Sequence, residues 1–178
     1  MRVVSPAETW LVTSLLKGVV KSGTGSAVHS SGLPEVVAGK TGTTNDGRDA
    51  WFVGYTPRLL ALVWVGFDGG DPHGMSGARA ALPIWVDFMK QAIDAYPQSD
   101  FEVPSGISFA DIDVSNGKRA ARACPVVARE AFLAGTEPPL CEEHRGVIDH
   151  VVDGWNRLTD WFRRPAREPK DAIPQSDR

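Results

Sequence analysis

The first apolar positions of the chain recur with a helical period: Trp10, Leu11, Leu15, Leu16, Val19 and Val20 fit 3.6 residues per turn. They follow Ser5-Pro6-Ala7-Glu8, which combines an N-cap serine, a proline at the first helical position and a glutamate three residues after the cap. The pattern predicts a helix of about four turns that ends before Ser22-Gly23-Thr24-Gly25, and then a polar loop to Pro34. From Val36 the pattern becomes that of strands. Residues 36–44 form the first, Asn45-Asp46-Gly47-Arg48 supplies hairpin turn chemistry, and residues 49–55 form the second. The third, residues 59–68, is apolar on alternate and intervening positions alike, which predicts a central strand with helices on both faces. After a Gly/Pro-rich loop, Leu82, Trp85, Val86, Met89, Ala92 and Ile93 mark a helix that buries one stripe on the sheet. Helix, antiparallel meander and helix make an α+β unit.

Beyond Pro97 the periodicity weakens. Residues 107–114 with Ser115-Asn116-Gly117-Lys118 read as a small separate hairpin, and residues 124–141 as irregular. An apolar helical stripe runs from Val147 to Phe162, suited equally to docking on the domain and to a partner or membrane surface. Residues 163–178 read as a disordered tail. The expected organisation is therefore a domain at 1–97, a hairpin and Cys-containing extension at 98–145, an amphipathic helix at 146–162 and the tail. Composition narrows the function. An apolar fraction of 42% and a charged fraction of 23% exclude wholesale disorder. A net charge of −3 argues against a nucleic-acid partner, because no basic excess exists to displace counterions. The longest apolar run, residues 59–67, is the length of a strand and not of a bilayer span.

One segment carries chemistry: Val37-Ala38-Gly39-Lys40-Thr41-Gly42-Thr43-Thr44. A phosphate-binding P-loop needs a glycine five residues before Gly39 and a helix after the Lys-Thr pair. Pro34 stands at the first place and a turn sequence at the second, so that reading fails twice. As an edge strand the residues fit acyl transfer on a peptide. Lys40 supplies a compact cation, Thr41 and Thr43 supply hydroxyls for a carboxylate, and Gly42 leaves room for a substrate backbone. The Thr43 N–H can donate to a developing oxyanion if a nucleophile sits opposite. The same residues equally suit a polar strand edge defended by a lysine.

The run VAGKTGTTNDGRDAWFVGYTP, with LVWVGFD and GARAALPIWVDFMKQAI after it, resembles the C-terminal part of the transpeptidase domain of class A penicillin-binding proteins. SPAETWLVTSLLKGVVKSGTG resembles the helix that precedes the lysine-threonine-glycine strand there, and FLAGTEPPLCEEH a segment found after the domain. The resemblance covers about residues 1–145. It implies a partial β-lactamase-like α+β fold and a serine D,D-transpeptidase, without cofactor, that cross-links peptidoglycan stem peptides ending in D-Ala-D-Ala and is acylated by β-lactams. Lys40, Thr41, Gly42 and Thr43 then form its third active-site motif, with the Thr43 amide as half of the oxyanion hole. The implied location of the whole protein is the periplasmic face of the inner membrane. This chain shows no signal or anchor, so as given it is expected to remain cytoplasmic.

Two motifs of that family are missing. No S-x-N occurs before Lys40, since the asparagines are Asn45, Asn116 and Asn156. Ser14-Leu15-Leu16-Lys17 matches the nucleophile motif S-x-x-K in letters but precedes Lys40 by only 26 residues, far too few for the family. The expected protein is a fragment that grips the substrate carboxylate without attacking it, inactive alone, with an upstream complementing chain as a further partner. The alternative is a non-catalytic peptide-binding or regulatory module. Cys124 and Cys141 enclose 16 residues, which suits a disulfide in an oxidising compartment. Cys141 and His144, with Cys124 and His150, offer zinc-ligand types, but the paired spacing occurs once and no metal site is assigned. His29 and His73 read as surface, Asp46, Asp49 and Asp68 as turn-capping residues, and Trp51, Trp64 and Trp85 as packing residues.

Overall fold

A computed structural model describes residues 3–96 and 99–144. The chain forms two compact units, one of residues 1–109 with 131–137 and the other of residues 110–130 with 138–178.

The first unit begins with helix α1, Pro6–Ser22, fixed by the expected capping box: the Glu8 N–H donates to Ser5 Oγ at 3.2 Å and the Ser5 N–H donates to Glu8 Oε2 at 2.8 Å. These bonds satisfy donors that no helical turn reaches. A short helix α2, Ala27–Ser30, leads to a three-stranded antiparallel sheet of β1, Ala38–Thr43, β2, Asp49–Tyr55, and β3, Leu60–Gly66, in that order. Between β1 and β2 the tight turn needs positive φ at Asp46 and Gly47, which glycine adopts freely and aspartate tolerates.

Helix α3, Ala81–Ala92, packs on one face of the sheet. Trp85, Leu82 and Met89 meet Phe52 there, with Val20, Val28, Leu33 and Val37 completing the core. Strand β2 forms over the residues expected and alternates in burial, with Ala50, Phe52 and Gly54 inward. Strand β3 departs from expectation. It borders β2 alone among the described strands, and Leu60, Leu62 and Trp64 on its second face are 65%, 53% and 43% exposed. Its inward positions Ala61, Val63 and Val65 pack on the core. A wholly apolar run does not by itself say which face other elements cover, and the described residues cover one of them.

The 107–118 segment also differs. The turn forms as expected, with the Asp113 N–H donating to Lys118 O at 2.8 Å and Gly117 at φ 71°. However, β4, Ile107–Asp113, pairs with β5, Val127–Leu133, inside the stretch expected to be irregular. The predicted helix at 146–162 and tail at 163–178 lie outside the described residues. No described helix is long and apolar enough to cross a membrane.

Candidate functional site: the Lys40–Thr43 strand

The lysine-threonine-glycine segment is strand β1, at one edge of the described sheet, paired with β2 on one side. It is neither a helix mouth nor core. Lys40 and Thr43 are exposed, and Thr41 and Gly42 are half-buried. The strand geometry thus excludes the P-loop alternative.

Register decides which backbone groups face outward. The Thr44 N–H donates to Asp49 O at 3.1 Å, and Thr43 sits opposite Ala50. Successive N–H groups of an extended strand point in opposite directions. The Thr43 N–H therefore points away from β2, toward the side of β1 that no described strand occupies. Side-chain contacts hold the strand in place. Thr41 and Thr24 share a hydroxyl–hydroxyl hydrogen bond of 2.8 Å, tying β1 to the loop after α1. Lys40 Nζ donates to Thr41 O at 2.7 Å, so the ammonium is stationed at the strand.

Two glycines outside the predicted motif residues matter as much. A Cβ on Gly39 would lie 2.8 Å from the Phe52 ring and 2.9 Å from Val53 O, so the core demands glycine there. Gly77 presses on the strand itself: its Cβ would lie 2.3 Å from Trp51 O and 2.5 Å from Gly42 O, and its N–H donates to Thr43 Oγ1 at 3.1 Å. Sequence reading placed Gly77 at the end of a loop and missed this role, since the contact joins positions 34 residues apart. Gly77→Ala is expected to cost about 1–3 kcal/mol, because the added methyl meets backbone that cannot turn aside. A lower urea midpoint at unchanged m would measure it.

The S-x-x-K letters of α1 are used differently. Lys17 Nζ is held by both oxygens of Asp100, at 2.7 and 2.8 Å, and Ser14 is half-buried on the helix. A groove of 380 Å³ near the start of α1 is lined by Trp10, Thr9, Thr13 and Phe101 among others, none of them in the Lys40–Thr43 strand.

In the second unit Cys124 and Cys141 are both free thiols, with no bond between them, and both lie beside Asp113 and His144. Hydrogen bonds from the Cys124 and Ser115 side chains hold the Asp113 carboxyl well below the usual carboxylate range. The hydrogen bond to Asp113 raises His144. Burial, with the Asp113 carboxylate adding to it, pushes the Cys124 thiol up to about 11. Cys141 is lowered: desolvation acts against the thiolate, but hydrogen bonds led by that from Asn116 outweigh it. Asp113 was not singled out from the sequence. Its signal was local, an aspartate two residues before Ser115, whose N–H and Oγ it accepts at 2.9 and 2.6 Å.

Comparison with known proteins places this geometry. Residues 1–90 match the penicillin binding protein transpeptidase domain, and residues 103–146 match the penicillin-binding protein 1A C-terminal domain. Penicillin-binding protein 1A of Aquifex aeolicus is 41% identical over 149 residues, covering 82% of this chain and 20% of that protein. That of Pseudomonas aeruginosa is 37% identical over 144 residues, covering 80% and 17%. The crystal structure of penicillin-binding protein 1A from Haemophilus influenzae superposes with a TM-score of 0.70 at 31% identity, over 77% of this chain and 22% of that one. The chain thus spans about a fifth of the length of these relatives. The antiparallel sheet with its packed helices, the exposed Lys-Thr-Gly strand and these matches agree: the chain belongs to the penicillin-binding protein transpeptidase family.

Proposed function

We propose that the chain supplies the carboxylate-binding wall of a D,D-transpeptidase cleft, the part that grips a peptidoglycan stem peptide ending in D-Ala-D-Ala or a β-lactam, without the attacking serine. The observation that carries this reading is the outward Thr43 N–H on the same exposed strand as Lys40. Lys40, with the Thr41 and Thr43 hydroxyls, binds the free carboxylate of the substrate. Gly42 lets the peptide backbone lie along the strand edge. The Thr43 amide stabilises the oxyanion of the tetrahedral intermediate, a contribution of about 2.7–4 kcal/mol for one such donor. In the whole protein the cleft works at the periplasmic face of the inner membrane.

Attack requires a serine activated by a base within hydrogen-bond reach. Lys17, the only lysine one helical turn from a serine before β1, is committed to Asp100, which supports the reading of Ser14 as a helix residue rather than a nucleophile. The 178-residue polypeptide alone is therefore expected to form no acyl-enzyme. Incubation with a fluorescent penicillin, denaturation and gel electrophoresis tests this: an unlabelled band is expected. A labelled band that Ser14→Ala abolishes would show that the nucleophile is here after all.

A further inference from the structure

We propose that Asp113, Cys124, Cys141 and His144 form a tetrahedral site for a zinc-type divalent ion in the second unit. One ligand atom from each of the four lies within 4.8 Å of all the others. Zinc–ligand bonds of about 2.0–2.3 Å imply ligand–ligand edges of roughly 3.3–3.8 Å in a tetrahedron. Cys141 Sγ is 3.7 Å from Asp113 Oδ2 and 3.6 Å from His144 Nδ1, already at that spacing. His144 Nδ1 and Asp113 Oδ2 stand closer, at 2.6 Å, in a direct hydrogen bond. An ion replaces that bond by parting the two atoms by a fraction of an ångström, and the half-exposed His144 is the member free to swing.

Both sulfurs sit among outer hydrogen-bond donors. Each sulfur receives an N–H: Asn116 Nδ2 donates to Cys141 Sγ at 3.3 Å and the Ala121 N–H to Cys124 Sγ at 3.2 Å. A neutral thiol is a weak acceptor, and outer N–H donors of this kind orient and stabilise bound ligands. The Lys118 N–H donates to Asn116 Oδ1 at 3.0 Å, which turns the Asn116 amide nitrogen to the sulfur. Ser115 occupies Asp113 Oδ1, leaving Oδ2 for the cluster. Two sulfurs, an imidazole and one carboxylate suit zinc and disfavour calcium or magnesium.

Burial supplies an independent reason. Among the described residues of this unit only Ile112, Asp113 and Cys141 are buried, so a carboxylate and a thiol stand where a small domain would place its apolar core. Such units are commonly held by a metal or a disulfide instead. The site also differs from the set offered by spacing alone: Asp113 takes the place that His150, outside the described residues, would have filled.

The test uses the full 178-residue chain, purified under reducing conditions without a histidine tag. Mass spectrometry of metals is expected to find about one zinc per chain. Cobalt(II) exchanged into the chain is expected to give thiolate-to-metal charge transfer and the intense visible bands of a tetrahedral ion. Cys124→Ser and His144→Ala should each weaken zinc at least about tenfold in a chelator competition, while His29→Ala leaves it unchanged. The cobalt spectrum of the unaltered chain needs no variant to fold. Metal content near zero, with cobalt giving no charge-transfer band, overturns the proposal. So does a purified chain lighter by two thiol hydrogens, bridged between Cys124 and Cys141, that takes up no cobalt once reduced.

Discussion

Trp85→Ala is expected to cost about 3–5 kcal/mol, a large share of the roughly 5–15 kcal/mol that holds a domain folded. Trp85 is fully buried, meets Phe52 edge to face at 5.0 Å, and donates its indole N–H to Ala61 O at 3.0 Å. The indole also fills the space that Gly54 leaves open, where a Cβ would lie 2.5 Å from Trp85 Cζ2. Truncation removes the ring contacts and the indole's hydrogen bond to Ala61 O, and opens a cavity that two strands and a helix cannot close without moving. Trp64 is the comparison. It is 43% exposed, stacks at an angle on Trp51 at 6.0 Å and donates to Asp49 Oδ1, so Trp64→Ala should cost far less. Urea unfolding of both variants measures the difference, and equal costs would show that the core lies elsewhere.

The contrast between these two tryptophans shows where sequence reading works. Both lie at apolar positions, Trp85 in a periodic helix and Trp64 in a uniformly apolar strand, and both were read as packing residues. In β2 the strand was legible but its inward set, Ala50, Phe52 and Gly54, was not, since the outward Trp51, Val53 and Tyr55 are the larger residues. The uniform run of β3 offers no break in its pattern, so which face is covered depends on other elements. Strand β5 was missed for the opposite reason: Arg129 and Glu130 interrupt its apolar residues, and pairing with β4 organises it. Helix α1 was legible because its start is encoded within four adjacent residues. The Lys40–Thr43 strand was legible for the same reason, its residues being contiguous. Gly77 acts through contacts with residues distant in the chain, and Asp113 has a local signal in Ser115 but meets Cys124, Cys141 and His144 only through the fold.

The contiguity of that strand gives the proposed function its most sensitive test. When the chain replaces the equivalent segment of Pseudomonas aeruginosa penicillin-binding protein 1A, the chimera is expected to be acylated by a fluorescent penicillin, and Lys40→Ala is expected to slow acylation severely. In the free structure the ammonium is exposed and rests on Thr41 O, where charge is cheap to keep hydrated. A bound drug or peptide expels that water and leaves its carboxylate facing the cation. Removing one partner of such a desolvated pair costs about 2–5 kcal/mol, or roughly thirty-fold to several-thousand-fold in rate at 1.4 kcal/mol per tenfold. Lys40→Arg keeps the charge but not its compact shape, and should recover only part of the loss. Folding is controlled by the urea midpoint, which an exposed edge residue should move by less than about 0.5 kcal/mol. A Lys40→Ala chimera that folds and acylates at the parent rate would mean that the lysine defends a strand edge and holds no carboxylate.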